Sequence, residues 1–202
     1  MTEEAWLDIG LVLAAGAGRR FGRPKATVIV AGERLVDRAV RVLRQGGCHQ
    51  VVVVLGAWLG GVASAHTTHN PEWRQGMGSS LRWGLTQLNT LPRASHAPPR
   101  RAVITLVDLP GLTPLAVATL RQSMADLAAA SYGGQQGHPV LIGEDHWPSL
   151  TEQLHGDCGA RDFLRAHQAL LIPLDALADG SDLDTPQSAL PKSAVRRSLE
   201  SW

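Results

Sequence analysis

Cysteine is scarce in this chain, with two residues in 202, and Cys48 and Cys158 lie far apart with neither a C-x-x-C nor a Cys/His ligand spacing around them. That excludes a disulfide framework and a structural zinc site, and both are expected as reduced thiols. Charge of one sign is also missing. The formal net charge is +1, so no global field draws the protein to nucleic acid or to a membrane surface, and any anion site must be local. No apolar run approaches the ~20 residues of a membrane span. Met1-Thr2-Glu3-Glu4-Ala5-Trp6 is acidic and lacks the basic-then-apolar order of a secretory signal, so the expected location is cytoplasmic. There is no internal repeat. His66 and His69 have a spacing that suits a metal, but no third ligand follows, so they read as surface histidines. The six tryptophans are scattered, and only Trp73 lies inside a motif. The length suffices for one sizeable core, and a single domain over residues 1–202 is expected.

What the chain does have is a glycine loop. Leu11-Val12-Leu13-Ala14-Ala15-Gly16-Ala17-Gly18 runs from an apolar stretch into Arg19-Arg20-Phe21-Gly22-Arg23-Pro24-Lys25. Glycines without a Cβ let a backbone take positive φ and bring N–H groups close to an anion, and Arg19 and Lys25 place two cations within reach. The pattern reads as a triphosphate cradle. Two better-known glycine motifs do not fit. A dinucleotide fingerprint needs G-x-G-x-x-G opening directly into a helix, whereas here the third glycine comes one place late, at Gly22, and Pro24 interrupts any helical run. A P-loop needs Gly-Lys-Ser/Thr, whereas Lys25 sits between Pro24 and Ala26. The plainer alternative is a tight strand-to-helix turn, for which small residues alone would suffice.

Strand-like and helix-like signals alternate along the rest, which predicts an α/β fold: a Rossmann-like three-layer sandwich with a mostly parallel central sheet. Ile9 to Leu13 and Val51 to Leu55 suit central strands buried on both faces. Between them Leu35, Ala39, Val40, Val42 and Leu43 recur at helical spacing, and Gly46-Gly47 supplies the stop. Ala102 to Val107 predicts another strand, ending in Asp108-Leu109-Pro110-Gly111, with Thr113-Pro114 opening the following helix. Asp108 is therefore placed at a strand's carboxyl end, the edge at which open α/β sheets bind ligands, so it and the glycine loop should share one crevice. Leu91 to Arg101, rich in proline and polar groups, reads as an exposed connection.

Three more segments carry chemistry. Asn70 to Leu81 is a glycine- and serine-rich turn into a helix, whose start suits a base or ribose. Gly156-Asp157-Cys158-Gly159-Ala160-Arg161 sets an acid and a base around a turn, and Ser181 to Pro186 brings a second carboxylate, Asp184. Asp108 and Asp184 together suit a divalent ion.

In these segments the chain resembles the nucleotidyltransferases that modify the molybdenum cofactor, most closely the molybdopterin cytidylyltransferase branch. The resemblance rests on Leu-Ala-Ala-Gly-x-Gly-x-Arg-x-Gly-x-Pro-Lys at 13 to 25, Asn-Pro-x-Trp-x-x-Gly-Met-x-Ser-Ser-Leu from 70, Val-Asp-x-Pro at 107 to 110, Gly-His-Pro-Val at 137 to 140, Gly-Asp-x-Gly-Ala-Arg at 156 to 161 and Asp-x-Asp-Thr-Pro at 182 to 186, in the family's order. It implies the same fold, Mg²⁺ as cofactor, and action in the cytosol on a phosphorylated pterin destined for a molybdoenzyme client. By resemblance, Asp108 and Asp184 match the metal-binding aspartates. Leu13, Ala14, Ala15, Gly16, Ala17, Gly18, Arg19, Lys25 and Ser80 form the nucleotide side, with Arg19, Lys25 and Asp108 as the catalytic groups. His138, Asp157 and Arg161 fall on the acceptor side. Ala15 matches the cytidylyl branch, where the guanylyl branch usually shows glycine, and this favours CTP.

The residues keep other readings open. Asp108 before Leu-Pro-Gly and Asp184 before Thr-Pro also suit turns, Ser79 and Ser80 also suit helix caps, and Asp157 and Arg161 also suit a pair across their turn. The expected reaction is in-line transfer of a nucleoside monophosphate to the acceptor's terminal phosphate with loss of pyrophosphate, which asks the protein for positioning and electrostatics. Rivals are guanylyl transfer, an enzyme acting on a sugar phosphate, methylerythritol phosphate or phosphoenol acid, and an accessory protein that binds nucleotide or cofactor without turnover. Ala189 to Trp202 suits either a docking helix or, after about residue 187, a loose tail.

Overall fold

Alternating apolar side chains on the strands build the molecule's two cores, one on each face of a seven-stranded sheet. The computed structural model describes residues 6–92 and 100–183. In chain order the strands are β1 (Leu7–Ala14), the short ribbon β2 (Ile29–Val30) and β3 (Glu33–Arg34), β4 (Gln50–Leu55), β5 (His66–His69), β6 (Arg100–Leu106), β7 (Leu127–Tyr132), β8 (Gln135–Gly143) and β9 (Leu170–Pro173). The helices are α1 (Leu35–Gln45), α2 (Met77–Thr90), α3 (Pro114–Arg121), α4 (Trp147–Gln153) and α5 (Arg161–Ala166). The large sheet runs β5-β4-β1-β6-β8-β7-β9, and β8 is antiparallel to both of its neighbours while the other pairings are parallel.

Successive strand residues point to opposite faces, so β1 sends Ile9, Leu11 and Leu13 toward α2, α4 and α5, and Val12 and Ala14 toward α1 and α3. In β4, Val52 and Val54 join the first group, and Val51, Val53 and Leu55 the second. This double-sided burial is why these strands read as unbroken apolar runs. The predicted β1-α1-β4 unit is present, with β1 and β4 paired in parallel from Ile9↔Gln50 to Ala14↔Leu55. Thr113 caps α3 as expected: its hydroxyl accepts from the Ala116 N–H at 3.2 Å, and Pro114 occupies the first turn. Among the described residues no helix is long and apolar enough to cross a membrane.

One expectation fails. Residues 93–99 of the predicted exposed connection lie outside the described residues, but Arg100 and Arg101 open β6 and are buried. Their charge is compensated in place. Arg101 makes two bonds to Asp8, Nε to Oδ1 at 2.7 Å and Nη2 to Oδ2 at 2.9 Å, and Arg121 Nε reaches Asp8 Oδ2 at 2.7 Å. Arg100 pairs with Glu144 at 2.8 Å and donates to the Leu88 carbonyl at 2.7 Å. Both cysteines are free; Cys48 is buried, which pushes its thiol up to about 12, and Cys158 is exposed. Residues 184–202, with Asp184 and the segment expected as a docking helix or tail, lie outside the described residues.

Candidate active site

The glycine loop leaves β1 at the sheet's carboxyl edge and folds back on itself. Gly18 has φ +59°, and a Cβ there would stand 2.0 Å from the Arg23 carbonyl oxygen, so only glycine closes this loop. Phe21 N–H bonds the Gly18 carbonyl at 2.8 Å and starts a one-turn helix, Arg19–Phe21, while Lys25–Thr27 forms a second after Pro24. Among the described residues the N–H groups of Gly16, Ala17 and Gly18 donate to no protein acceptor. Unpaired amides beside cations are what an anion site requires. The loop is tied to its neighbours behind: the Ala15 carbonyl accepts from Ala57 N–H at 3.0 Å and the Leu13 carbonyl from Val107 N–H at 3.2 Å. Ala14 and Ala15 are buried; Gly16, Arg19 and Arg20 are exposed. The Gly-x-Gly-x-Arg spacing counts Arg20, one residue past Arg19, as the loop's arginine.

Asp108 follows β6 on the adjoining strand end. Lys25 Nζ donates to Asp108 Oδ2 at 2.6 Å, with side chains 19% and 17% exposed. Two sequence candidates 83 positions apart thus meet directly. The Asp108 carbonyl accepts from Leu183 N–H at 2.9 Å, which brings the residue preceding Asp184 onto the Asp108 backbone.

Beside this pair opens a cavity of about 770 Å³. Leu13, Leu109 and Ile104 floor it, and His138, Asp157 and Arg161 stand on its walls, so the three acceptor-side candidates gather there. His138 Nδ1 is 3.3 Å from the Ile104 carbonyl. Burial lowers the pKa of His138; the Ile104 bond and the charge of Asp108 push it back up, and Arg161 pushes it down. The imidazole thus feels both the Asp108 side and the Arg161 side of the cavity. Asp157 and Arg161 make no ion pair among the described residues; Asp157 Oδ1 instead accepts from the Met77 N–H at 3.3 Å, at the start of α2. The loop and α2 touch closely. A Cβ on Gly76 (φ +116°) would stand 2.3 Å from the Gly156 carbonyl oxygen.

Ser80 sits elsewhere. It is 4% exposed, and its hydroxyl oxygen accepts from Asn70 Nδ2 at 3.1 Å, while Ser79 accepts from the same amide at 3.0 Å and donates to the Glu72 or Gly76 carbonyl. The Asn-Pro-x-Trp segment is therefore joined to the start of α2 by a buried amide-hydroxyl cluster. His66 and His69 lie exposed on the edge strand β5, and among the described residues no group of three or more His, Cys, Asp or Glu side chains is placed to hold a metal.

Sequence reasoning missed Tyr132, Gln135 and Gln136, which line the cavity from the β7–β8 hairpin. The Tyr132 hydroxyl donates to the His138 carbonyl at 3.0 Å, and burial, then the charges of Asp175 and Asp179, push its pKa up to about 12. Gly133-Gly134 between two apolar or polar-alternating stretches was the available hairpin signal.

Comparison with known proteins converges on one family. A family model described as MobA-like NTP transferase domain matches residues 10–170. The nicotine blue oxidoreductase of Paenarthrobacter nicotinovorans is 35% identical over 194 residues, covering 87% of this chain and 91% of that one. A probable molybdenum cofactor guanylyltransferase of Opitutus terrae is 53% identical over 54 residues, 27% of each chain. Among solved structures, the homologue of Mycobacterium tuberculosis Rv0371c from Mycobacterium sp. strain JC1 superposes with a TM-score of 0.70 at 27% identity over 96% of each chain. The manganese complex of Rv0371c from M. tuberculosis H37Rv shares the fold, with a TM-score of 0.64 at 22% identity, over 96% of this chain and 99% of that one.

Proposed function

The chain belongs to the MobA-like NTP transferase domain family and is a nucleotidyltransferase, and from that premise we propose that it transfers CMP from CTP to the terminal phosphate of molybdopterin or the molybdenum cofactor, releasing pyrophosphate. The observation that carries this reading is the Lys25–Asp108 pair beside unbonded glycine-loop amides, with a cavity for an acceptor adjoining it. An acceptor phosphate oxygen attacks the α-phosphorus in line; the new P–O bond forms as the bond from the α-phosphorus to the bridging oxygen breaks, and pyrophosphate leaves with that oxygen. The N–H groups of Gly16 to Gly18 hold the β- and γ-phosphates, and Arg19 or Arg20 offsets charge on the departing pyrophosphate. Lys25 leaves Asp108 for an α-phosphoryl oxygen. His138, Asp157 and Arg161 orient the acceptor.

Asp108 fits a divalent ion. Magnesium takes one or two protein carboxylates and completes its shell with phosphate oxygens and water, so one part-buried carboxylate suffices for an ion that arrives with its triphosphate, and Asp184 is the second candidate. When bound, the ion neutralises phosphate charge. Ser80, in this reading, acts on the nucleotide side by fixing the start of α2 with Asn70 and Ser79. Residues 1–202 act as one domain, in the cytoplasm, serving a molybdoenzyme client.

The test is pyrophosphate release by the full chain with Mg²⁺, molybdopterin, and CTP, GTP, ATP or UTP in turn. Turnover with CTP alone is expected; turnover with GTP alone replaces the cytidylyl assignment, and none with any of the four removes this acceptor. A second reading has one observation in its favour, the oxidoreductase name of a relative that matches 87% of this chain. It predicts a redox change of nicotine blue and no release of pyrophosphate.

A further inference from the structure

Behind Arg161 the cavity adjoins a second cleft, of about 400 Å³. Gln135, Gln136, Arg161 and Leu164 line both spaces, so Arg161 stands at the passage between them. The far part of the cleft adds Arg165 and Gln168. Arg161 and Arg165 are four apart on α5, so their guanidiniums lie on one face, one turn or about 6 Å along the axis. The start of β8, just after the hairpin turn, contributes the Gln135 and Gln136 amides. Among the described residues no carboxylate lines the cleft. Arg161 has no ion pair among the described residues, and Arg165 has only a loose surface contact with Asp162, Nη1 to Oδ1 at 3.4 Å, with the arginine side chain 72% exposed. Two guanidiniums and three amides around a small concave space, with only the exposed Asp162 contact on one of them, form a surface for an oxyanion.

We propose that this cleft is an oxyanion subsite for the end of the acceptor remote from its reacting phosphate, so that the preferred acceptor carries a second anionic group. That it serves the acceptor rests on the nucleotidyltransferase reading of the main cavity; that it binds an oxyanion does not. Selectivity follows from the geometry. A small acceptor with a single phosphate fills the main cavity and leaves Arg165 and Gln168 untouched, whereas a longer one reaches past Arg161.

The experiment is a titration of the full chain with inorganic phosphate, followed by the ¹H–¹⁵N signals of the Arg161 and Arg165 side chains and of the Gln135, Gln136 and Gln168 amides, with and without Mg²⁺ and CTP. These signals are expected to shift saturably. CTP should abolish phosphate-induced shifts at Gly16 to Gly18 and spare those in the cleft. Arg165→Glu should weaken phosphate binding at the cleft at least tenfold while the glycine-loop shifts persist, and Arg165→Lys should retain part of it. With molybdopterin as acceptor, Arg165→Glu should raise its KM severalfold. Absence of saturable shifts in the cleft, or their survival in Arg165→Glu, overturns the subsite. Cleft shifts that persist while CTP leaves the glycine loop unaffected support the subsite and count instead against the nucleotide reading.

Discussion

The two ends of the central sheet use the same chemistry, a carboxylate held by cations, for opposite purposes. At the amino end Asp8 is 1% exposed and receives three bonds from Arg101 and Arg121, whose remaining donors reach the carbonyls of Gly46, Ala125 and Arg121. At the carboxyl end Asp108 has a single lysine at 2.6 Å, part-exposed, with the arginines of the neighbouring loop turned to solvent. Burial with saturated geometry makes a pair permanent, because separating its members strands a charge in a poor dielectric. Partial exposure makes a pair exchangeable, since water and salt take over when a partner leaves. On the proposed function, the buried end is scaffold and the part-exposed end is the one that lets go of one partner and accepts another.

The largest expected effect breaks the permanent end. Asp8→Ala leaves Arg101 and Arg121 without their carboxylate and should cost about 3–5 kcal/mol of folding stability. Urea denaturation measures it, and turnover per folded molecule should be unchanged. Asp108→Asn is the complementary break. It should lower kcat by about 10²- to 10³-fold, roughly 3–4 kcal/mol of barrier, while the urea midpoint moves little. If instead Asp108→Asn destabilises like Asp8→Ala and retains turnover, the two ends have been assigned the wrong way round.

That contrast also separates what was legible in the sequence from what was not. β1, α1 and β4 announced themselves because each is a local pattern: an apolar run, a helical repeat, a glycine stop. The glycine loop and Asp108 were legible for the same reason, and the rule that α/β sheets bind at the carboxyl edge then put them together. Arg100 and Arg101 were misread as an exposed connection because charge after a proline-rich stretch means surface unless a partner is present. The partner, Asp8, is 93 positions away from Arg101 and carries no local mark. Ser80 stood out as a nucleotide-side candidate but not as buried, since its hydroxyl accepts from Asn70 across a turn. Tyr132, Gln135 and Gln136 were hidden because a hairpin at the far side of the sheet reaches the cavity only through the strand order β6-β8-β7.

A smaller effect sharpens the exchangeable end. Lys25→Met removes the cation that Asp108 holds before substrate arrives, so it should raise the affinity for Mn²⁺ in the absence of nucleotide by roughly fivefold, about 1 kcal/mol. The same variant should turn over slowly, because the α-phosphoryl oxygen has lost its lysine. Electron paramagnetic resonance of free Mn²⁺ reads the first effect without any turnover. An unchanged or weaker affinity would mean that the pair does not compete with the ion.

The smallest effect concerns His138, whose ring lies where the two kinds of environment meet. Its burial favours the neutral imidazole and lowers its pKa below the ordinary value of about 6.5, against the pull of the Ile104 carbonyl and Asp108. The sign follows from proton uptake. Above about pH 6.5 both folded and unfolded chains hold this residue neutral, and it contributes its full share of stability; as pH falls below that value the unfolded chain takes up the proton first, so stability is lost with acid. His138→Gln keeps a polar side chain of similar reach and removes the titration. The fall in urea midpoint between pH 7.5 and pH 5.5 should therefore be shallower in the variant than in the parent, the other histidines contributing equally to both. A steeper fall would place the imidazole on the charged side, held by Asp108 rather than by burial, and would move His138 from the acceptor wall into the same exchangeable network as Lys25.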